Sequence, residues 1–194
     1  MKLTVLTENT ANKRGVLGEH GLSVLIEAQG KKLLFDTGQS GVYAHNAKRL
    51  GVRLDDIDAV ILSHGHYDHA GGLEEFPDTL PPVYVRREAL EDKLCKNADR
   101  VSFRQIGIPW VSHENGEPKA PGRIGDRLHF TGEKEEIFPD IFVLGKILRE
   151  GSFRCSGSRR QRGLCRTGWR MNSFWSCGKR QGFPYLQAAP MRAS

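Results

Sequence analysis

Short apolar runs separated by Gly-, Asp- and Asn-rich breaks set the pattern of this chain. Residues 3–7 alternate apolar and polar side chains and predict a first strand. Residues 9–20 are polar and punctuated by glycine, so they read as a loop. Residues 22–28 and 32–35 then predict two strands joined by Gln29-Gly30, a short turn of the hairpin kind. Ser40 is placed to cap a helix reaching about Leu50, with Val42, Ala47 and Leu50 facing inward, His45 on its surface and Gly51 as its stop. Residues 59–62 form an apolar, β-branched run too short for a helix, which predicts a buried strand. Strand, helix and strand in this order make a crossover unit packed on a sheet.

Beyond that unit the pattern predicts a helix starting at residues 73–76 and a strand at 83–85. Residues 88–96 read as an exposed helix with Leu90 and Leu94 inward at i, i+4. Residues 102–125 are rich in Pro and Gly without periodicity and read as an insertion beside the functional site rather than a packed element. The last strand material lies at 128–131, 135–138 and 141–144.

Candidate chemistry is concentrated directly after the buried strand, where the sequence runs Ser-His-Gly-His-Tyr-Asp-His-Ala-Gly-Gly from Ser63 to Gly72. His64, His66, Asp68 and His69 place four metal-ligand side chains within six residues. Alternate residues of an extended segment point the same way, so His64 and His66 can meet one ion while Asp68 and His69, on the following turn, reach a neighbouring position. Imidazole nitrogen with carboxylate oxygen suits zinc, with iron or manganese as alternatives, and leaves positions open for water. The bland alternative, a solvated loop with incidental histidines, does not explain this spacing between a buried strand and Gly71-Gly72. His20 lies in the first loop, where a place near the metal site and an ordinary hydrogen-bonded surface position are both open. His113 and His129 have no ligand context.

The ligand run resembles the His-x-His-x-Asp-His motif of the metallo-β-lactamase superfamily. Together with Leu-Leu-Phe-Asp-Thr-Gly at 33–38 it looks most like the branch of 7,8-dihydropterin-6-methyl-4-(β-D-ribofuranosyl)aminobenzene-5'-phosphate synthase, over residues 1 to about 153. The resemblance implies an αβ/βα sandwich of two similar halves, of which this α/β chain carries the first half and part of the second. It implies a two-ion site and a metal-dependent, zinc-type hydrolase or synthase that uses metal-activated water. His64 and His66 would hold one ion, and Asp68 and His69 the other. Asp68 would also orient the attacking water and is the catalytic candidate. Asp36, read from the residues alone, is either a plain turn residue or a carboxylate supporting a ligand histidine; the resemblance implies the support.

Composition changes the picture at the C-terminal end. The 194 residues hold 29 Lys and Arg against 23 Asp and Glu, a net of +6. Nine of the basic residues and none of the acidic ones fall in residues 151–194, leaving a net of −3 on residues 1–150. This divides the chain into a metallo-β-lactamase-like domain at 1–150 and an atypical basic tail at 151–194. The tail lacks periodicity, sets Trp169 and Trp175 among polar residues, and places Cys155, Cys165 and Cys177 in no zinc or disulfide framework. Read one base out of step, residues 188–193 are compatible with Gly-Cys-Thr-His-Ala-Gly and residues 170–173 with Asp-Glu-Gln, stretches the family carries in this order. The expectation is therefore an out-of-frame, disordered tail in place of the family's later ligands, which the DNA around codons 153–155 would decide.

Each ion would then keep two protein ligands, so weak metal binding and low activity are expected. With the second sheet missing, exposed apolar surface and self-association are expected as well. Two other classes compete: an RNA-directed member of the same fold using the basic tail, which nothing but that tail favours, and an inactive fragment. The substrate is expected to be a small molecule, a phosphorylated one by resemblance only. No apolar run approaches the roughly 20 residues of a membrane span and no signal sequence opens the chain, so a cytoplasmic address is expected.

Overall fold

The computed structural model describes residues 1–77, 79–97, 101–145 and the backbone of 174–177. In chain order the elements are β1 (Lys2–Thr7), β2 (Ser23–Ala28), β3 (Lys31–Phe35), α1 (Val42–Leu50), β4 (Ala59–Ile61) and the helical turn α2 (Tyr67–Ala70). Then come β5 (Val83–Val85), β6 (Leu94–Lys96), β7 (Phe103–Gln105), β8 (Ser112–Glu114), β9 (Glu117–Lys119), the turn α3 (Gly122–Gly125), β10 (Leu128–Phe130), β11 (Lys134–Phe138), β12 (Ile141–Leu144) and β13 (Phe174–Cys177).

Six strands form one sheet in the order β1-β2-β3-β4-β5-β10. The first three are antiparallel; β3, β4, β5 and β10 run parallel. Gln29 and Gly30 turn the β2–β3 hairpin with both φ angles positive, at 52° and 73°, which the twist of the flanking strands requires. Side chains alternate across the sheet, so Leu25, Leu34, Val60 and Leu62 pack with Tyr43 and Ala47 of α1, while Ile26, Leu33, Ala59 and Ile61 pack with Ile141 and Val143 of β12. The result is helix on one face and the start of a second sheet on the other. Among the described residues that second layer does not cover the β1 edge, where Leu3 and Val5 are 43% and 52% exposed.

Several elements differ from the expectation drawn from sequence. Ser40 does not cap α1 as the residue at its boundary; Gly41 does, and the Ser40 hydroxyl donates to Glu19 Oε2 at 2.6 Å while accepting from Val42 N at 3.3 Å. The fully buried face of α1 is Tyr43, Asn46 and Ala47, with Leu50 partly buried against the same core as expected; Asn46 is drawn in to bond Leu6 O, Leu17 O and Leu17 N. The element expected from residue 73 is a 3₁₀ turn, Gly71–Glu75, that follows α2 directly.

No helix forms over residues 88–96. Arg87–Leu90 makes a single 3₁₀ turn that buries Ala89 and Leu90, and Leu94, 57% exposed, sits in β6 against β7. The cause is Lys93, whose Nζ donates to Glu88 O, Ala89 O and Glu91 O at 3.1, 2.8 and 2.9 Å and closes the turn. Residues 102–125 are likewise more ordered than expected. They carry β7, the β8–β9 hairpin and α3, and Ile108, Trp110 and Ile124 reach the core.

Asp58 ties β4 to β3: it accepts from Lys31 Nζ at 2.7 Å and Lys32 N at 2.8 Å. Burial opposes its charge, but these donors prevail and hold its pKa below the ordinary carboxylate value. A carboxyl with a lowered folded pKa contributes stability above its unfolded pKa, about 3.9, and loses it as pH falls through the folded value. Urea unfolding of the parent between pH 6 and pH 3 should therefore show an acid loss that Asp58→Asn reduces. The size at pH 6 is about 1 kcal/mol. Equal acid loss in parent and variant would refute it.

β13 pairs antiparallel with β12, so the tail supplies one strand where its composition suggested none; edge pairing uses backbone groups and needs no apolar period. The rest of the tail, with Trp169 and the out-of-step segments, lies outside the described residues. So does the end of the resemblance, at 146–153. Among the described residues no helix is long and apolar enough to cross a membrane.

Candidate metal centre

The site lies where β3 and β4 end side by side. Asp36 N donates to Ile61 O at 2.9 Å, which continues the parallel pairing by one step and delivers the Asp36 carboxylate beneath the loop that leaves β4. Asp36 has φ +57°, a left-handed conformation that Asp and Asn adopt more readily than other non-glycine residues. Thr37 N donates to His69 O at 2.7 Å, so the two loops are bonded backbone to backbone.

Asp36 is fully buried and its oxygens are all engaged. Oδ1 accepts from Ser63 N at 2.7 Å, and Oδ2 accepts from Ser63 Oγ at 2.6 Å and His69 Nδ1 at 2.8 Å. Because the Ser63 proton goes to Asp36, Ser63 Oγ is left to accept from His64 Nδ1 at 2.8 Å. Both histidines thus carry their proton on Nδ1, and both turn an Nε2 lone pair towards the site. One carboxylate sets two tautomers, one directly and one through a hydroxyl.

The ring nitrogens converge. His64 Nε2 lies 3.0 Å from His66 Nδ1, and the rings meet edge to face with centroids 4.5 Å apart. Two nitrogens each about 2.0–2.1 Å from zinc sit roughly 3.3 Å apart in a tetrahedral site, so this pair fits a single ion. The His69 ring lies tilted against His64 with centroids 4.2 Å apart, and its Nε2 lies 3.6 Å from Asp68 Oδ2, a spacing that suits a second, adjacent ion. The four residues of the expected set come together.

Asp36, His64 and His69 also offer ligand atoms within 4.8 Å of one another. Proximity alone would count Asp36 as a ligand. Its oxygens already accept three bonds, from Ser63 N, Ser63 Oγ and His69 Nδ1, and its side chain is fully buried.

Electrostatics favour an open lone pair at His64 and His66 but a second proton at His69, which an ion would have to displace. Burial, with the nearby His69, His66 and Lys93 charges, pushes the His64 pKa down to about 2, so His64 is neutral and its lone pair available. Burial lowers His66 as well. At His69 burial is outweighed by the Asp36 bond and the charges of Asp36 and Asp68, and the pKa rises.

Close packing fixes the loop. A Cβ on Gly65 would stand 1.7 Å from Ala89 O, and one on Gly72 would stand 2.2 Å from Thr37 O. Tyr67 N donates to Ile106 O at 3.1 Å, and Trp110 Nε1 donates to Ala70 O at 2.7 Å. Residues 102–125 therefore do lie beside the site, as a packed support of α2. Sequence reasoning passed over Ser63, Gly65, Lys93 and Trp110; only Ser63, next to the first histidine, carried a local signal. His45, His113 and His129 stay apart from the cluster, bonded to Gly15 O, paired with Asp92 and stacked on Tyr84 respectively.

Comparison with known proteins agrees with this geometry. Residues 17–152 match the model of the metallo-beta-lactamase superfamily. The 7,8-dihydropterin-6-methyl-4-(beta-D-ribofuranosyl)-aminobenzene-5'-phosphate synthase of Methanocaldococcus jannaschii is 40% identical over 161 residues, covering 76% of this chain and 51% of that protein. An uncharacterised protein of the same organism is 34% identical over 151 residues, covering 76% of this chain and 54% of that protein. A solved metal-dependent hydrolase of the beta-lactamase superfamily superposes with a TM-score of 0.55 at 32% identity, over 74% of this chain and 47% of that one. The chain thus spans about half the length of the curated relatives it matches. With the ligand run at the end of β4, the buried carboxylate at the end of β3, and a family match across most of the described residues, the chain belongs to the metallo-β-lactamase superfamily.

Proposed function

We propose that this chain carries one part of a zinc-type hydrolytic site and binds its metal weakly. The observation that supports this most is the convergence of His64 Nε2 and His66 Nδ1 at 3.0 Å, with the His64 lone pair freed by its Nδ1 bond to Ser63. His64 and His66 would hold one ion and Asp68 and His69 a second; iron or manganese would suit the same donors. A bound divalent ion supplies Lewis acidity and lowers the pKa of water from about 15.7 to about 7.

The chain's own residues do the rest. Asp36 and Ser63 hold His64 and His69 in the tautomer that presents Nε2. Asp68, largely buried with Oδ2 turned towards His69, is the carboxylate placed to orient a water and accept its proton. Gly65 and Gly72 bring the backbone close enough to exclude bulk solvent from the back of the site.

Two described ligands per ion are fewer than the three protein ligands of a typical catalytic zinc site. Equilibrium dialysis against zinc should accordingly give weak binding that a mild chelator reverses, with little hydrolysis of phosphodiester or lactone substrates. A tight complex with two zinc ions per chain would overturn this reading. The likeness to the aminobenzene-phosphate synthase supports a small phosphorylated substrate as the class to test first.

A further inference from the structure

The candidate catalytic carboxylate is held from a direction that the ligand motif does not include. Residues 8–22 form a strap beside the site, fixed at Leu17 and Glu19: Asn46 bonds Leu17 N and Leu17 O, and Glu19 Oε1 accepts from Gln39 N and Ser40 N at 3.2 and 3.3 Å. From this strap three consecutive residues close on Asp68. His20 Nε2 lies 3.3 Å from Asp68 Oδ2. Gly21, at φ +135°, lies against the Asp68 carbonyl so closely that a Cβ would stand 2.0 Å from it. Leu22 N donates to Asp68 O at 3.3 Å.

The ring is itself oriented. Asn9 Oδ1 accepts from Gly21 N at 3.3 Å, which identifies that atom as the amide oxygen, and it accepts from His20 Nδ1 at 3.1 Å. With Nδ1 donating to Asn9, Nε2 is the nitrogen turned to Asp68, and it donates to that carboxylate when the ring carries both protons. The arrangement runs Asn9, His20, Asp68, and it mirrors the Asp36–His69 pair on the other side of the same cluster.

We propose that His20, aimed by Asn9, is a positioning residue that holds the Asp68 carboxylate in its working orientation beside His69. This rests on the reading of Asp68 and His69 as a metal pair. His20 is not a third ligand to their ion: among the described residues it forms no cluster with Asp68 and His69 close enough to share one. It acts through Asp68, and Asn9 acts through it.

Cobalt(II) titration of the full chain tests this, because the visible bands of cobalt report the ligand field at the site and their growth gives its affinity. His20→Ala should weaken cobalt binding about tenfold and shift the bands, and Asn9→Ala should reproduce part of both effects with the imidazole still present. His20→Gln, whose amide N–H can reach the same oxygen, should restore most of the affinity. The unfolding midpoint of the metal-free variants should stay near the parent's. If the parent takes up cobalt and the variants match it in affinity and spectrum, the positioning role is refuted and the metal pair stands. A lowered metal-free midpoint with unchanged cobalt bands refutes it also, in favour of a purely structural strap. No cobalt uptake by the parent sinks the metal pair and this proposal together.

Discussion

Replacing Asp36 by alanine is expected to weaken zinc binding by about 10- to 100-fold, although Asp36 is not itself read as a ligand. The carboxylate accepts from Ser63 N, Ser63 Oγ and His69 Nδ1, so its loss frees both histidine rings to rotate and to exchange tautomers. Stability falls too. Each buried donor left without a partner costs about 1–3 kcal/mol, and alanine pays about 1–2 kcal/mol for the left-handed backbone that Asp36 tolerates.

Asp36→Asn separates the two effects. Asparagine suits the same backbone conformation and can keep one oxygen on Ser63 N. Its NH₂ then faces His69 Nδ1, which must become an acceptor; the proton moves to Nε2 and occupies the lone pair the ion needs. The variant should unfold within about 1–2 kcal/mol of the parent yet bind zinc as poorly as the alanine variant. Urea unfolding with a zinc competition assay reads both. An asparagine variant with parental zinc affinity would show that Asp36 does not set the tautomer.

Gly65→Ala is the second large effect. Its Cβ would meet Ala89 O, C and Cα at 1.7, 2.6 and 2.9 Å, a collision with backbone rather than with a side chain that could turn away. Ala89 cannot retreat easily, since it is buried and its carbonyl is bonded by Lys93 Nζ at 2.8 Å. The methyl must instead lift the loop between His64 and His66, whose nitrogens are only 3.0 Å apart. We expect a loss of about 3 kcal/mol or more of stability, the upper end of overpacking costs, with loss of the site wherever the chain still folds. Gly30→Ala is the contrast: nothing lies within 4 Å of its Cβ, and only the positive φ is strained. A Gly65→Ala chain that unfolds at the parent's urea midpoint would refute the packing argument.

What the sequence made legible follows the range of the interactions. The β2–β3 hairpin, α1 with its Gly51 stop and the β4 strand were readable because period and turn residues are local signals. The candidate ligands stood out for the same reason, since four of them share six positions. Of their supports only Asp36 was marked, as a carboxylate that could hold a ligand histidine, and its actual partners were not. Asp36 reaches Ser63 across 27 residues and His69 across 33, and Trp110 reaches Ala70 across 40, distances over which no spacing rule operates. The helix expected at 88–96 failed for a related reason: Leu90 and Leu94 have helical spacing, but Lys93 satisfies the carbonyls of the turn and the chain leaves as a strand. His20 belongs with the supports, because only the closed strap shows which group its ring meets.

The same contrast bears on how a cation would act on unfolding. His64, His66 and His69 remain neighbours along any denatured chain, whereas the Asp36 bond exists only once β3 and β4 are joined. Denatured molecules therefore keep a share of the native affinity, and cation added in excess protects the fold by less than its native dissociation constant alone would give.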